Sequence, residues 1–135
     1  MREILFRGKR VDNGEWVEGS LIVLDDGECR IATSCLQGYD DNLLDVCAYK
    51  VDPATVGQYT GLTDKNGKRI FEGDIVEYED EYGKIVYSVH EARFMIYFDT
   101  WCTDFDHIYG SEVEVIGNIH DNPELLEVQD NGNQD

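Results

Sequence analysis

The chain of 135 residues has 41% hydrophobic residues and fifteen aromatics, enough for a core that removes roughly two thirds of the unfolded surface from water, which excludes wholesale disorder. Eleven Lys and Arg stand against 29 Asp and Glu, a formal charge of −18 at pH 7, and such a field repels phosphates and argues against direct nucleic-acid binding. No apolar run approaches the roughly 20 residues of a membrane span, and charge breaks Met1–Arg7 too early for a secretory core, so a cytoplasmic protein without a membrane partner is expected.

Residues 3 to 10 alternate as a strand, Asp12-Asn13-Gly14 turns the chain, and Glu15 to Leu24 returns as the second arm of a hairpin. Asp25-Asp26-Gly27 makes the next turn. Glu28 to Thr33 is a third strand with Cys29 and Ile31 on one face, and Gly38 to Asn42 is a polar loop. Val46 to Val51 reads as a fourth strand, ended by Asp52-Pro53 because proline donates no ladder bond and restricts the residue before it. A soft boundary falls at Asp52 to Ala54.

The densest set of shape-dictated positions lies from Gln58 to Glu79. Asn66-Gly67 predicts a type I′ hairpin turn between arms ending at Leu62 and Ile70, and Glu72-Gly73-Asp74 leads into the β-branched strand Ile75 to Tyr78. Asp64 and Asp74 are expected to accept hydrogen bonds from turn N–H groups rather than to form a catalytic or metal-binding pair, since no histidine or further acid lies at ligand spacing. Glu79 to Gly83 turns the chain again, Lys84 to Val89 and Ala92 to Phe98 pair across His90-Glu91, and Glu112 to Ile119 closes the sheet. Asn122-Pro123 predicts a helix start, with asparagine as cap and proline at the first helical position, followed by one turn to Glu127. His120-Asp121 reads as the turn before it. Residues 129 to 135 lack apolar content and are expected to be disordered.

Three separated blocks resemble one family. Thr55 to Leu62 with Asp64 to Lys68 and Ile70 to Val76 is similar to the core signature of the YopX family of phage and prophage proteins; Phe6 to Lys9 with Trp16 to Gly19 resembles its opening hairpin, and Val115 to Leu126 its closing motif. The resemblance implies a mainly β fold encoded on mobile elements. It also implies a C-terminal barrel similar to SH3-type barrels; joined to the elements read above, the expected architecture is an N-terminal β-meander or small barrel over 1–54 packed on an SH3-like barrel over 55–128, with one short C-terminal helix. No catalytic or ligand residue comes with it. The expected compartment is then the cytosol of a bacterial host.

The clearest candidate surface is the long connection Asp99 to Tyr109. Trp101, Phe105 and Tyr109 beside Asp99, Asp104 and Asp106 could receive a basic or proline-containing peptide; the competing reading is that the aromatics pack the connection onto the barrel. Asp104-Phe105-Asp106 lacks the spacing of a calcium loop. Cys29, Cys35, Cys47 and Cys102 contain no Cys-x-x-Cys pair and are expected as buried free thiols, and Cys102 with His107 has no third group in the sequence to orient the imidazole. Arg7, Lys9 and Arg10 form a basic cluster that fits a guarded strand edge or internal ion pairs.

The expectation is therefore a non-enzymatic interaction module without catalytic residues, metal or cofactor, whose partner is a host or phage protein and which is compatible with self-association. One alternative is an acidic DNA mimic that occupies a host DNA-binding protein. A less favoured one is a small ligand-binding barrel or enzyme, which needs an enclosed pocket with converging polar groups.

Overall fold

In the computed structural model, which describes residues 2–36 and 44–127, the chain is mainly β and divides into two compact units, Met1–Gln58 and Tyr59–Asp135. The expected loop at Gly38 to Asn42 and the expected tail at 129–135 lie outside the described residues.

The first unit contains β1 (Phe6–Lys9), β2 (Trp16–Val23), β3 (Cys29–Leu36) and β4 (Leu44–Val51), paired antiparallel in sequence order. Apolar residues at alternate positions account for the pairing, since Cys29, Ile31 and Val51 are buried and Phe6, Val17, Leu21 and Val56 pack against them. The last strand returns to the first. Arg10 bridges Val51, the Val11 N–H donates to the Lys50 carbonyl at 3.1 Å, and the Asp52 N–H donates to that of Lys9 at 2.9 Å, so the sheet closes on itself. Closure brings backbones together where only glycine fits. A Cβ on Gly19 would stand 2.2 Å from the Ala32 carbonyl oxygen. Pro53 opens a 3₁₀ turn, Pro53–Thr55, capped by Asp52, whose Oδ1 accepts from the Ala54 N–H at 3.0 Å. Thr55 ties this turn to β1 by accepting from the Lys9 N–H at 2.9 Å.

The chain passes from one unit to the next within β5 (Gly57–Thr63); its first two residues pair with Phe6 and Arg7, and Tyr59 and Thr63 pair with Phe71 and Arg69 of β6 (Arg69–Phe71). The second unit continues with β7 (Asp74–Tyr78), β8 (Glu81–Ser88), β9 (Arg93–Tyr97), β10 (Cys102–Asp104) and β11 (Glu114–Asn118). These form a five-stranded antiparallel sheet in the order β10-β9-β8-β7-β11, so the last strand returns beside the first of the meander. Its core is Ile70, Val76, Ile85, Ile96, Phe98, Ile108, Val113 and Val115, with Tyr78 and Phe105 packed against it. Gly83 is buried here, and a Cβ would reach Ile96 Cγ2 at 2.8 Å.

Several local expectations are corrected. The turn at Asn66-Gly67 is not type I′: Gly67 has φ +81° while Asn66 stays out of the left-handed region. The Gly67 N–H donates to the Asp64 carbonyl at 3.0 Å and the Asp64 N–H to that of Lys68 at 2.7 Å, a right-handed turn followed by a left-handed glycine. The type I′ geometry appears instead at Glu79-Asp80, a two-residue connection between Tyr78 and Glu81 in which both residues are left-handed, φ 49° and 67°. Sequence reasoning missed it because neither residue is glycine or asparagine. The connection from Asp99 to Tyr109 contains a strand, β10, and is not loop throughout. The Asn122 Oδ1 accepts from the Asn118 N–H at 3.2 Å, back across the turn, ahead of the helical turn at 124–127. The thiols depart from expectation as well: Cys29 is buried and free, Cys102 is free but exposed, and Cys47 is disulfide-bonded.

Candidate functional site

Aspartates organise the backbone of the second unit before they offer any chemistry. Asp64 is 4% exposed; its Oδ1 accepts from the Asn66 and Lys68 N–H groups at 2.9 and 2.8 Å, and its Oδ2 accepts from the Val115 N–H at 2.9 Å, 51 residues away. Burial alone would raise its pKa, but these three backbone donors outweigh burial and hold the carboxyl below the ordinary value of 3.8. Asp74, also buried, accepts from the Phe71 N–H at 2.7 Å. Both residues therefore shape turns. At the far end of β11, Asn118 Oδ1 accepts from the N–H groups of His120 and Asp121, which makes that pair part of a side-chain-built turn.

A cleft of about 330 Å³ opens on the second unit. One wall is Thr60 and Leu62 of β5; the other is Arg93 and Phe94 of β9 with Asp104 at the end of β10, and Phe105 and Asp106 follow at its mouth. Gly61 between the β5 residues has φ +89°, and regular pairing with β6 is interrupted from Tyr59 to Thr63. That bulge turns the segment out of the ladder, while the Thr60 hydroxyl holds the Ile70 carbonyl at 2.8 Å. Phe94 meets Tyr87 edge-on with ring centroids 5.3 Å apart, so an aromatic pair on neighbouring strands backs the cleft.

The electrostatics centre on Arg93. Its Nη2 lies 2.8 Å from Glu91 Oε1 and 2.9 Å from Asp104 Oδ2, and its Nη1 lies 3.7 Å from Asp106 Oδ2. Asp104 is 6% exposed, and its Oδ1 accepts from the Asp106 and His107 N–H groups, both at 3.0 Å, and meets His107 Nδ1 at 2.7 Å. The imidazole contact, reinforced by the two backbone donors and by Arg93, pulls the Asp104 pKa down against the effect of burial. The same contact raises the pKa of His107 above the ordinary 6.5. The orienting group beside His107, not anticipated from the sequence, is Asp104 three residues earlier. Cys102, however, makes no hydrogen bond to that imidazole, and no nucleophile–base pair forms between them.

Of the six candidate residues, Asp104, Phe105 and Asp106 come together at the cleft. Trp101 lies on the turn from β9 to β10, stacked on Phe98 at 4.5 Å with 12° between the rings and donating from Nε1 to Glu81 Oε1 at 3.1 Å. Tyr109 is exposed and caps the 3₁₀ turn Gly110–Glu112, its N–H donating to Glu112 Oε2 at 2.8 Å; Asp99 is exposed on the turn before Trp101. Packing thus accounts for Trp101 and part of Phe105. Arg93, Phe94, Thr60 and Leu62 escaped sequence reasoning because strand alternation alone assigns them to the sheet. The one available signal was that Arg93 is the last cation before ten acids. Among the described residues, no three His, Cys, Asp or Glu side chains converge as a metal ion requires, and no helix is long and apolar enough to cross a membrane.

The architecture is that of a mainly β protein built of antiparallel sheets with an open, aromatic-backed cleft on its second unit. The chain belongs to the YopX protein family, whose family model matches residues 5–127, nearly its whole length. It is similar to a protein of known structure, EF1440 from Enterococcus faecalis, with 27% identity and a TM-score of 0.60 over 93% of this chain and 99% of that one. No curated protein matches it in sequence.

Proposed function

We propose that this protein is a non-enzymatic interaction module of phage or prophage origin, acting in the bacterial cytosol, whose second unit receives a segment of a host or phage protein. The observation that carries the reading is the cleft of about 330 Å³, at the small end of ligand pockets, with Phe94 and Phe105 on its walls and Asp106 at its rim. An open, aromatic-walled recess with a charged edge suits a side chain presented on a peptide. The carboxylates that could serve as acids or bases instead hold backbone N–H groups or Arg93, which supports a binding role over a catalytic one.

The test is affinity capture from phage-infected or lysogenic bacterial extract with the wild-type chain and with the double variant Phe94→Ala/Asp106→Lys. A saturable partner held by the wild type and released by the double variant is the expected result. A partner retained equally by both, or no saturable partner at all, overturns the proposal.

A further inference from the structure

The cleft is lined by one guanidinium, Arg93, and two carboxylates, Asp104 and Asp106, and Glu91 bonds Arg93 from outside the lining. Arg93 is held by Glu91 and Asp104 at hydrogen-bond distance, whereas Asp106 stands 3.7 Å from it with a side chain 87% exposed. The two close carboxylates already use Arg93 Nη2, so Asp106 is the acid the local cation serves least. His107, itself exposed, spends its Nδ1 on Asp104 and reaches Asp106 only through space, with no hydrogen bond to it. No other Lys or Arg lines the cleft. The site is therefore short of a positive charge at its mouth, next to two phenylalanine side chains.

We infer that the occupant of this cleft is a cationic side chain, an arginine or lysine on an exposed segment of the partner protein, which pairs with Asp106 and lays its stem along Phe94 and Phe105. The inference rests on the interaction reading above and names the chemistry of the partner. Size agrees, because a recess of about 330 Å³ holds a single long side chain and not a folded element. Electrostatics agree too. The second unit carries five Lys and Arg against eighteen Asp and Glu, a net of −13, so a basic segment is drawn toward it and an acidic one repelled. The aromatic walls favour a planar guanidinium, which stacks on ring faces, over an ammonium.

Blocked pentapeptides of the form Gly-Ser-Xaa-Ser-Gly, with arginine, lysine, citrulline or glutamate at the centre, provide the test in the intact protein. They are titrated into the ¹⁵N-labelled chain at low salt and followed by amide chemical shifts. Arginine and lysine peptides should give saturable shifts at Phe94 and at Asp104 to His107, with arginine the tighter. Citrulline keeps the shape without the charge, and its peptide should bind several-fold more weakly; the glutamate peptide should not bind. Asp106→Asn, at an exposed position that leaves the fold intact, should weaken arginine-peptide binding about 3- to 5-fold, the range for one exposed ion pair. Raising the salt should weaken it further. Equal binding of citrulline and arginine peptides, shifts confined to other surfaces, or no saturable shift up to about 10 mM peptide overturns the inference. Any of these results leaves the broader interaction reading standing if the captured partner still depends on Phe94 and Asp106; loss of that dependence defeats the broader reading instead.

Discussion

The two units solve the same problem with different means. The first has a small core, Cys29, Ile31 and Val51 with four partly buried neighbours, and closes by backbone hydrogen bonds between the residues after β1 and the end of β4. Its close approaches are made by glycines, Gly8 against Val51 and Gly19 against the Ala32 carbonyl. The second unit gathers eight buried apolar residues into one core cluster and fills its polar interior with aspartates, Asp64 accepting three backbone hydrogen bonds and Asp104 bridging His107 and Arg93. Charge differs as well: six Lys and Arg against eleven Asp and Glu in 1–58, a net of −5, compared with −13 in 59–135. A fold too small for a large core can be held by backbone proximity, whereas a larger core tolerates buried carboxylates that order turns around a binding surface.

The contrast can be broken in either unit and read separately, because Trp16 reports on the first and Trp101 on the second. The largest effect is expected from Asp64→Ala, which strands the N–H groups of Asn66, Lys68 and Val115; unfolding in urea followed by Trp101 fluorescence in a Trp16→Phe background should show a loss of roughly 3–5 kcal/mol. The same carboxylate gives a pH signature. Its folded pKa lies below the ordinary 3.8, so its contribution is complete above that value and is lost as the pH falls through the folded pKa. Acid unfolding of the second unit should therefore be shallower in Asp64→Ala than in the wild type.

Gly19→Ala should cost the first unit about 2–3 kcal/mol by driving a methyl group into the Ala32 carbonyl, measured by Trp16 fluorescence with Trp101→Phe. If the loss appears equally in the second unit, the two do not unfold independently. A gain is expected at the hairpin between β7 and β8. Glu79→Asn with Asp80→Gly places there the residues that left-handed backbone favours, and should stabilise the second unit by about 1–2 kcal/mol, since each L-residue with a longer side chain pays a steric penalty in that region. The smallest effect is electrostatic and local. By NMR titration, His107 should titrate above 6.5 in the wild type and fall back toward it in Asp104→Asn, because the aspartate contact is the leading cause of its shift. A His107 indifferent to that substitution would remove Asp104 as its anchor.

Much of the architecture is legible in local chemistry. Alternation in Phe6 to Lys9, the glycines at 14, 27 and 67, the β-branched run at Ile75 and Val76, and Pro53 after Asp52 each constrain the backbone within a few residues, so most strands and turns can be located directly, whereas β10 and the pairing of β11 with β7 cannot. Left-handed Glu79 and Asp80 could not be anticipated, because pairing of β7 with β8 forces a conformation their own preferences oppose. The candidate site divides in the same way. Asp104, Phe105 and Asp106 stand out as an aromatic and acidic run, but Arg93 and Leu62 reach that run only through the packing of distant strands.

By itself the sequence determined the β class, the turns, the acidic field and the family, because each follows from residue type and short-range spacing. Tertiary structure alone decided which carboxylate is buried and which is left at the rim, since Asp104 and Asp106 differ only in where the sheet directs them. That difference depends on strand pairing and burial across separations of tens of residues, to which local spacing is blind.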